Sequence, residues 1–261
     1  LMGGLHVFDG VGSSGPVAVR HLLAQTSGLP DYFQGKKANG KSLRKELTQG
    51  VDQHWTFEEA IALSKTMKPK FAPGTPGKAF YSDTNFQLLG QIIEVIGGSS
   101  YADQVQQRIA IPLSLKNTYV YADASDTRPV DIYYKKNKLH MPQAMTSFGA
   151  DGGIVSTTED LVYFLQSFFD GSLFPEAYLQ EMKTWNKIFY PLEYGVGLSR
   201  FKLSKLATLG KPFPELIGHS GLSGTVAFYD AQQNRFIVGT VNQIHRPSTS
   251  YKVMVKLLLQ P

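Results

Sequence analysis

Three observations predict an α+β fold in which a mainly helical region leads into an antiparallel sheet flanked by helices. Apolar residues recur at helical spacing between capping and stop signals, most clearly over residues 86–96 and 161–169. The last third changes to short β-rich runs separated by turn residues. A final helical run over 250–260 then follows the strands and is placed to cover them. The helical region is expected over 1–185, and the strands with their closing helix over 186–261.

In chain order, residues 19–25 read as a short helix with Leu22 and Leu23 on its apolar side. It stops at Thr26, Ser27, Gly28, Leu29 and Pro30, where Gly28 can take positive φ and Pro30 blocks continuation. Residues 33–50 are polar and glycine-containing, which reads as a surface excursion. Thr56 followed by Glu58 and Glu59 is a capped helix start, with an end expected near Pro69. Pro73 to Gly77 form a loop, and Asp83, Thr84 and Asn85 lead into the helix over 86–96, closed by Gly97 and Gly98. A further helix is expected over 100–109, closed by Pro112. Another, capped by Thr157 and Thr158, runs over 161–169 to Gly171. Strands are expected over 194–201, 224–230 and 235–242, the last two joined as a hairpin through residues 230–234.

With 261 residues, 42% hydrophobic content, 16 Phe and 13 Tyr, the chain can bury a full core and does not read as disordered. No apolar run approaches the roughly 20 residues that span a bilayer. There is no cysteine, which removes disulfides, thiol nucleophiles and thiolate metal sites. The net charge of +5 comes from scattered lysines and forms no extended basic stripe. It suits an anionic surface such as cell wall or membrane and gives little support to nucleic-acid binding. His6, His54, His140 and His245 have no metal-ligand spacing, and His21 reads as structural within its helix.

The remaining signal lies in five segments. Residues 19–32 contain Thr26, Ser27, Gly28, Leu29, Pro30, Asp31 and Tyr32. Pro73, Gly74 and Thr75 follow, then Tyr81, Ser82 and Asp83 at the head of a helix. Gly152 and Gly153 precede Thr157 and Thr158, and Gly218, His219, Ser220 and Gly221 lead to Gly224. Alone, a Tyr-Ser-Asp triplet is usually an N-cap with a packing tyrosine, and a lone histidine is usually structural. Turn chemistry explains Asp31 and Tyr32 as well as a pocket would. Together and in this order, the segments resemble the serine β-lactamase and penicillin-binding-protein superfamily, in particular the class C-like branch with its D-alanyl-D-alanine peptidases and esterases.

That resemblance implies a β-lactamase/transpeptidase-like fold and acyl transfer through a serine ester, with no metal and no organic cofactor. It makes Tyr81 the group that shuttles protons between nucleophile, substrate and solvent. A phenol ionises near pH 10, so such a tyrosine needs a cation close by to act as a base at neutral pH. The resemblance places Asp83 where asparagine is common, as the group orienting the lysine and substrate amide. His219 stands where lysine is common, on the strand lining the acyl site, and Ser220 and Gly221 continue that strand. The backbone N–H of Leu222 becomes an oxyanion donor. A neutral histidine holds a substrate carboxylate less strongly than lysine, which favours an esterase or peptidase over an efficient β-lactamase.

The nucleophilic serine with a lysine one turn later, which the resemblance places before Thr26, is not found there. Ser13 and Ser14 are followed by Gly15 and Pro16, which suits a loop. Ser42 with Lys45 and Ser199 with Lys202 match the spacing elsewhere; the first lies in a polar stretch and the second in an expected strand. The chain opens at Leu1, and the expectation is a truncated piece whose nucleophile helix precedes it, or a chain completed by a separate segment or second chain. The expected partner is a small-molecule or peptide substrate. The alternative is a catalytically inactive relative that binds peptidoglycan-like ligands or a protein partner. By the same resemblance the protein is expected to be periplasmic, secreted or envelope-associated.

Overall fold

The computed structural model describes residues 7–8, 11–12, 17–204, 206, 208, 210 and 212–259. His6, Ser13, Ser14 and the last residue of the expected closing helix lie outside them. The chain forms two compact units, one built from Leu1–Arg108, Tyr119–Arg128 and His140–Val155, the other from Ile109–Thr118, Pro129–Leu139 and Ser156–Pro261. Six two-residue strands, β1 Val7–Phe8, β2 Val11–Gly12, β3 Tyr119–Val120, β4 Tyr133–Tyr134, β5 Asn137–Lys138 and β6 Ile154–Val155, make three small antiparallel ladders, β1–β2, β3–β6 and β4–β5.

The first unit is mainly helical, with α1 Val19–Leu23, α2 Leu43–Thr48, α3 Phe57–Lys65, α4 Asp83–Gly97, α5 Tyr101–Val105 and α6 Pro142–Phe148. Thr56 caps α3 as expected: its hydroxyl accepts from the Glu59 amide at 3.2 Å, and the Glu59 carboxylate accepts from the Thr56 amide at 2.8 Å. α4 begins at Asp83, three residues before the apolar run, because the run's polar approach is itself the first turn and an acid there suits the positive end of the helix dipole. Leu22, Leu29, Ile61, Leu88 and Leu89 form the core between α1, α3 and α4. Each such leucine contributes about 1.5–3 kcal/mol by leaving water.

Two expectations are corrected in this unit. Residues 33–50 are not only a surface excursion: Leu43 and Leu47, one helical turn apart, are buried and draw α2 out of an otherwise polar stretch. The helix expected over 100–109 is α5 followed by a wider π-type turn over Gln106–Ala110. Gly28 does take positive φ, 71°, and a Cβ there would lie 2.0 Å from the Phe71 carbonyl oxygen. Only glycine fits that turn.

The second unit carries α7 Thr158–Phe169, α8 Ala177–Met182 and α9 Ser248–Leu258, with strands β7 Asn186–Phe189, β8 Leu192–Tyr194, β9 Ser199–Phe201, β10 Leu216–Ser220, β11 Val226–Asp230 and β12 Arg235–Gly239. These six form one antiparallel sheet in the order β12-β11-β10-β9-β8-β7. The expected single strand over 194–201 is instead the end of β8, a tight turn and β9. Gly197 takes φ 74° and the Gly195 amide donates to the Leu198 carbonyl at 2.8 Å. The hairpin pairs Val226 with Gly239 and Asp230 with Arg235, whose guanidinium reaches the buried Asp230 carboxylate at 2.8 Å. Strand alternation sends Val226 and Phe228 to one face, where they pack with Phe201, Leu216 and Met254 of α9. Tyr229 points to the other face and stacks on Phe169 of α7 with ring centroids 4.7 Å apart. The sheet is therefore covered on both faces.

Candidate active site

The turn after α1 and the head of α4 bring one set of candidate residues together in the first unit. The Pro30 carbonyl accepts three hydroxyl hydrogen bonds, from Ser64 at 3.0 Å, Ser82 at 2.9 Å and Thr84 at 2.6 Å. Thr84 in turn accepts from the Tyr32 amide at 3.1 Å. Ser27 donates to Asn85 Oδ1 at 2.6 Å. These buried bonds fasten the Thr26–Pro30 turn to residues 82–85, so two of the five sequence segments meet here. Tyr81 and Asp83 stand at this junction, both half-buried, and the Tyr81 hydroxyl donates to the Asp83 carboxyl.

Three carboxyl groups gather around it. Asp83 is pushed well above the usual carboxylate range, first by burial, then by the negative charges of Asp31 and Asp151, with the Tyr81 hydroxyl and the Arg44 guanidinium partly offsetting. Burial raises Asp31 as well, although its carboxylate accepts from the Phe33 amide at 2.8 Å and the Gln34 amide at 2.9 Å. Turn chemistry thus accounts for Asp31 locally, yet its charge is felt at Asp83. Asp151 is pushed up to about 8 by burial; the Tyr32 hydroxyl, 2.6 Å from Oδ2, and Gln87 hold it back.

Tyr32 is fully buried, and burial and Asp151 hold its phenol well above the ordinary value. Its hydroxyl also accepts from Trp55 Nε1 at 3.2 Å. Among the described residues, Asp151 Oδ1 and Gln25 Nε2 are buried without a hydrogen-bond partner. Burial and mutual repulsion disfavour ionisation of all three carboxyls together, and favour a positive charge brought beside them.

The second unit, taken by itself, holds His219, Ser220, Gly221 and Leu222. His219 and Ser220 end β10, and Gly221 and Leu222 open the turn after it, held by the Gly221 amide on the Thr225 carbonyl at 2.8 Å. His219 Nε2 lies 2.9 Å from the Tyr194 hydroxyl, and Nδ1 lies 2.9 Å from the Ser220 backbone. Burial lowers its pKa below the ordinary 6.5, so the ring is neutral at pH 7. The Ser220 hydroxyl bonds Tyr251 of α9. A Cβ on Gly221 would meet nothing nearer than Thr225 Cβ at 3.5 Å, and Gly221 is exposed. The fold itself places no demand for glycine there.

The two formal Ser-x-x-Lys matches serve other ends. Ser42 caps α2, its hydroxyl accepting from the Lys45 amide at 3.2 Å, and the Lys45 side chain is exposed. Ser199 is buried in β9. His21 is structural as expected, its Nδ1 accepting from the Ala18 amide at 3.2 Å, and His54 bonds Thr146 and Ser147. No group of three or more His, Cys, Asp or Glu able to hold a metal occurs among the described residues. Sequence reasoning passed over Asp151, Gln87, Arg44, Tyr194 and Tyr251. Only Asp151 left a trace, as an acid directly before the Gly152 and Gly153 pair.

An antiparallel sheet covered by helices, with a Tyr-Ser-Asp helix head in a mainly helical unit, defines the β-lactamase/transpeptidase-like fold. The chain belongs to the beta-lactamase family, whose model matches residues 6–258. It is 27% identical over 177 residues to Penicillin-binding protein 4* of Bacillus subtilis, an alignment covering 62% of this chain and 37% of that protein. The chain therefore spans little more than a third of that relative's length. Among solved structures it is similar to D-stereospecific amidohydrolase from Streptomyces sp., with 26% identity and TM-score 0.73, covering 94% of this chain and 73% of that one. It is also similar to D-amino acid amidase from Ochrobactrum anthropi SV3, with 25% identity and TM-score 0.75, covering 93% and 72%. The two structural relatives are, by name, hydrolases of amide bonds.

Proposed function

We propose that the protein is a serine hydrolase working through an acyl-enzyme on an amide or ester carbonyl of a D-amino-acid derivative or related peptide. A serine Oγ bonds the carbonyl carbon, its proton passes to Tyr81, and Tyr81 returns a proton to the leaving amine or alkoxide as the scissile bond breaks. Water then releases the acid by the reverse transfer. Asp83 holds the Tyr81 hydroxyl and the lysine that accompanies the serine. His219, neutral and fixed by Tyr194, is the polar group facing substrate, Gly221 leaves space for its backbone, Ser220 continues that strand and the Leu222 N–H is an oxyanion donor.

The observation that carries this reading is the carboxyl cluster of Asp31, Asp83 and Asp151 beside Tyr81. A lysine brought beside Tyr81 would offset the burial of these carboxyls and make the phenol a usable base. In this reading the nucleophilic pair is neither Ser42 with Lys45 nor Ser199 with Lys202, since these serines cap a helix and lie inside a strand. The substrate class follows the amidase relatives, and a cell-envelope location follows the penicillin-binding protein. Among the described residues no helix is long and apolar enough to cross a membrane.

Labelling the full-length protein with a fluorophosphonate and mapping the adduct tests this. One adduct on a serine outside these residues, lost on adding a D-amino-acid amide, is expected. An adduct on Ser42 or Ser199 would overturn the assignment. A second reading, in which Ser42 and Ser199 keep only their cap and strand roles, is an inactive relative that binds peptidoglycan-like ligands or a protein; it predicts ligand binding with no adduct.

A further inference from the structure

We propose that Gln25 is the positioning residue for Tyr81, a role that rests on Tyr81 being the proton carrier. The two peptide N–H groups flanking Tyr81 are both held by this one residue. The Phe80 amide donates to the Gln25 main-chain carbonyl at 2.8 Å, and the Ser82 amide donates to Gln25 Oε1 at 2.9 Å. The same Oε1 accepts from Asn85 Nδ2 at 2.5 Å, and Asn85 is itself tied to Ser27. Residues 82 and 85 thus converge on one fully buried side chain and residue 80 on the same residue's main chain, and the backbone that aims the Tyr81 ring has little freedom left.

The backbone of Gln25 strengthens the case. Its φ is 58°, in the left-handed region where glycine sits without strain and a glutamine does not. Its Nε2 is buried with no acceptor among the described residues. A residue chosen only to close the turn after α1 would be glycine or asparagine, with neither penalty. What glutamine adds is an oxygen at the length needed to reach the Ser82 amide from inside the turn. Strain and an orphaned donor held at one spot are the pattern of a residue kept for the geometry it imposes. Tyr81 must place its hydroxyl against Asp83 and a substrate at once, and a displacement near 1 Å costs about 100-fold in rate.

The test uses the full-length protein with Gln25→Met, which keeps length and loses the acceptor, and Gln25→Glu, which keeps it. Gln25→Gly relaxes the backbone, keeps the main-chain bond to Phe80 and removes the side chain with its Oε1, so it guards against a methionine variant that fails to fold. Turnover of a D-amino-acid anilide is read beside the ζ-13C tyrosine spectrum, with the Tyr81 resonance identified by its loss in Tyr81→Phe. Met and Gly variants are expected to lower kcat about 10- to 100-fold with KM within about twofold. They should also shift or broaden the Tyr81 resonance, while Glu restores both. If Met and Gly variants lose only melting temperature, with kcat and the Tyr81 resonance unchanged, Gln25 is packing alone and the proposal is overturned. If Tyr81→Phe leaves turnover intact, the proton-carrier reading fails instead, and the role assigned to Gln25 fails with it even if the resonance moves.

Discussion

Replacing Asp151 by Asn should change the shape of the stability curve against pH. Asp151 ionises near 3.8 when unfolded and only near pH 8 when folded, because burial disfavours its charged form. Between those values the native state keeps a proton that the unfolded chain has lost, so stability is greatest at low pH and falls as pH rises. One proton gives a slope of about 1.4 kcal/mol per pH unit, or about 2.7 kcal/mol lost between pH 5 and pH 7. Asp31 and Asp83 face the same cluster and are raised too, and Tyr32, Tyr81, Tyr101 and Arg44 are further ionisable groups around it. Asparagine keeps the shape and can still accept from Tyr32. It leaves one buried amide N–H without a partner, at a cost of about 1–3 kcal/mol that does not vary with pH. Urea unfolding of both proteins at pH 5, 6, 7 and 8 should therefore show the shallower slope for the Asp151→Asn variant, least favourable at pH 5 and most favourable at pH 8. A difference between the two that stays constant across this range would refute the buried-carboxyl argument.

Tyr81→Phe should cut turnover of a D-amino-acid anilide by at least about 100-fold while leaving the melting temperature nearly unchanged; near-normal turnover would refute its role. Phe228→Ala, which empties the centre of the core under α9, should cost about 3–5 kcal/mol in denaturant unfolding. Gly28→Ala should destabilise strongly, since its Cβ would strike the Phe71 carbonyl, whereas Gly221→Ala should leave the unfolding midpoint alone and raise KM. Equal effects of the two alanines on stability would contradict the reading of Gly221 as space kept for substrate.

Local chemistry made much of this protein legible from its residues. Thr56 and Thr157 announce their helices because a capping hydroxyl acts within three residues, and Asp230 to Asn234 announce a hairpin for the same reason. Tyr81, Asp83 and His219 stood out only because five short segments occur in one order; each alone is ordinary. What stayed hidden depends on distance through space. Leu43 and Leu47 make a helix of a polar stretch because a core is waiting for them, and Asp151 becomes a weak acid because residues far off in sequence bury it beside Asp31 and Asp83. Gln25 carries no sequence signal at all, since its importance lies in two amides more than fifty residues away. Sequence alone indicated the main helices and the C-terminal hairpin, because caps, turns and periodicity are set by neighbours, and the family resemblance, because five short segments keep their order. The tertiary structure decided which groups share a dielectric, a charge or a hydrogen bond, because those energies follow separation in space and not along the chain.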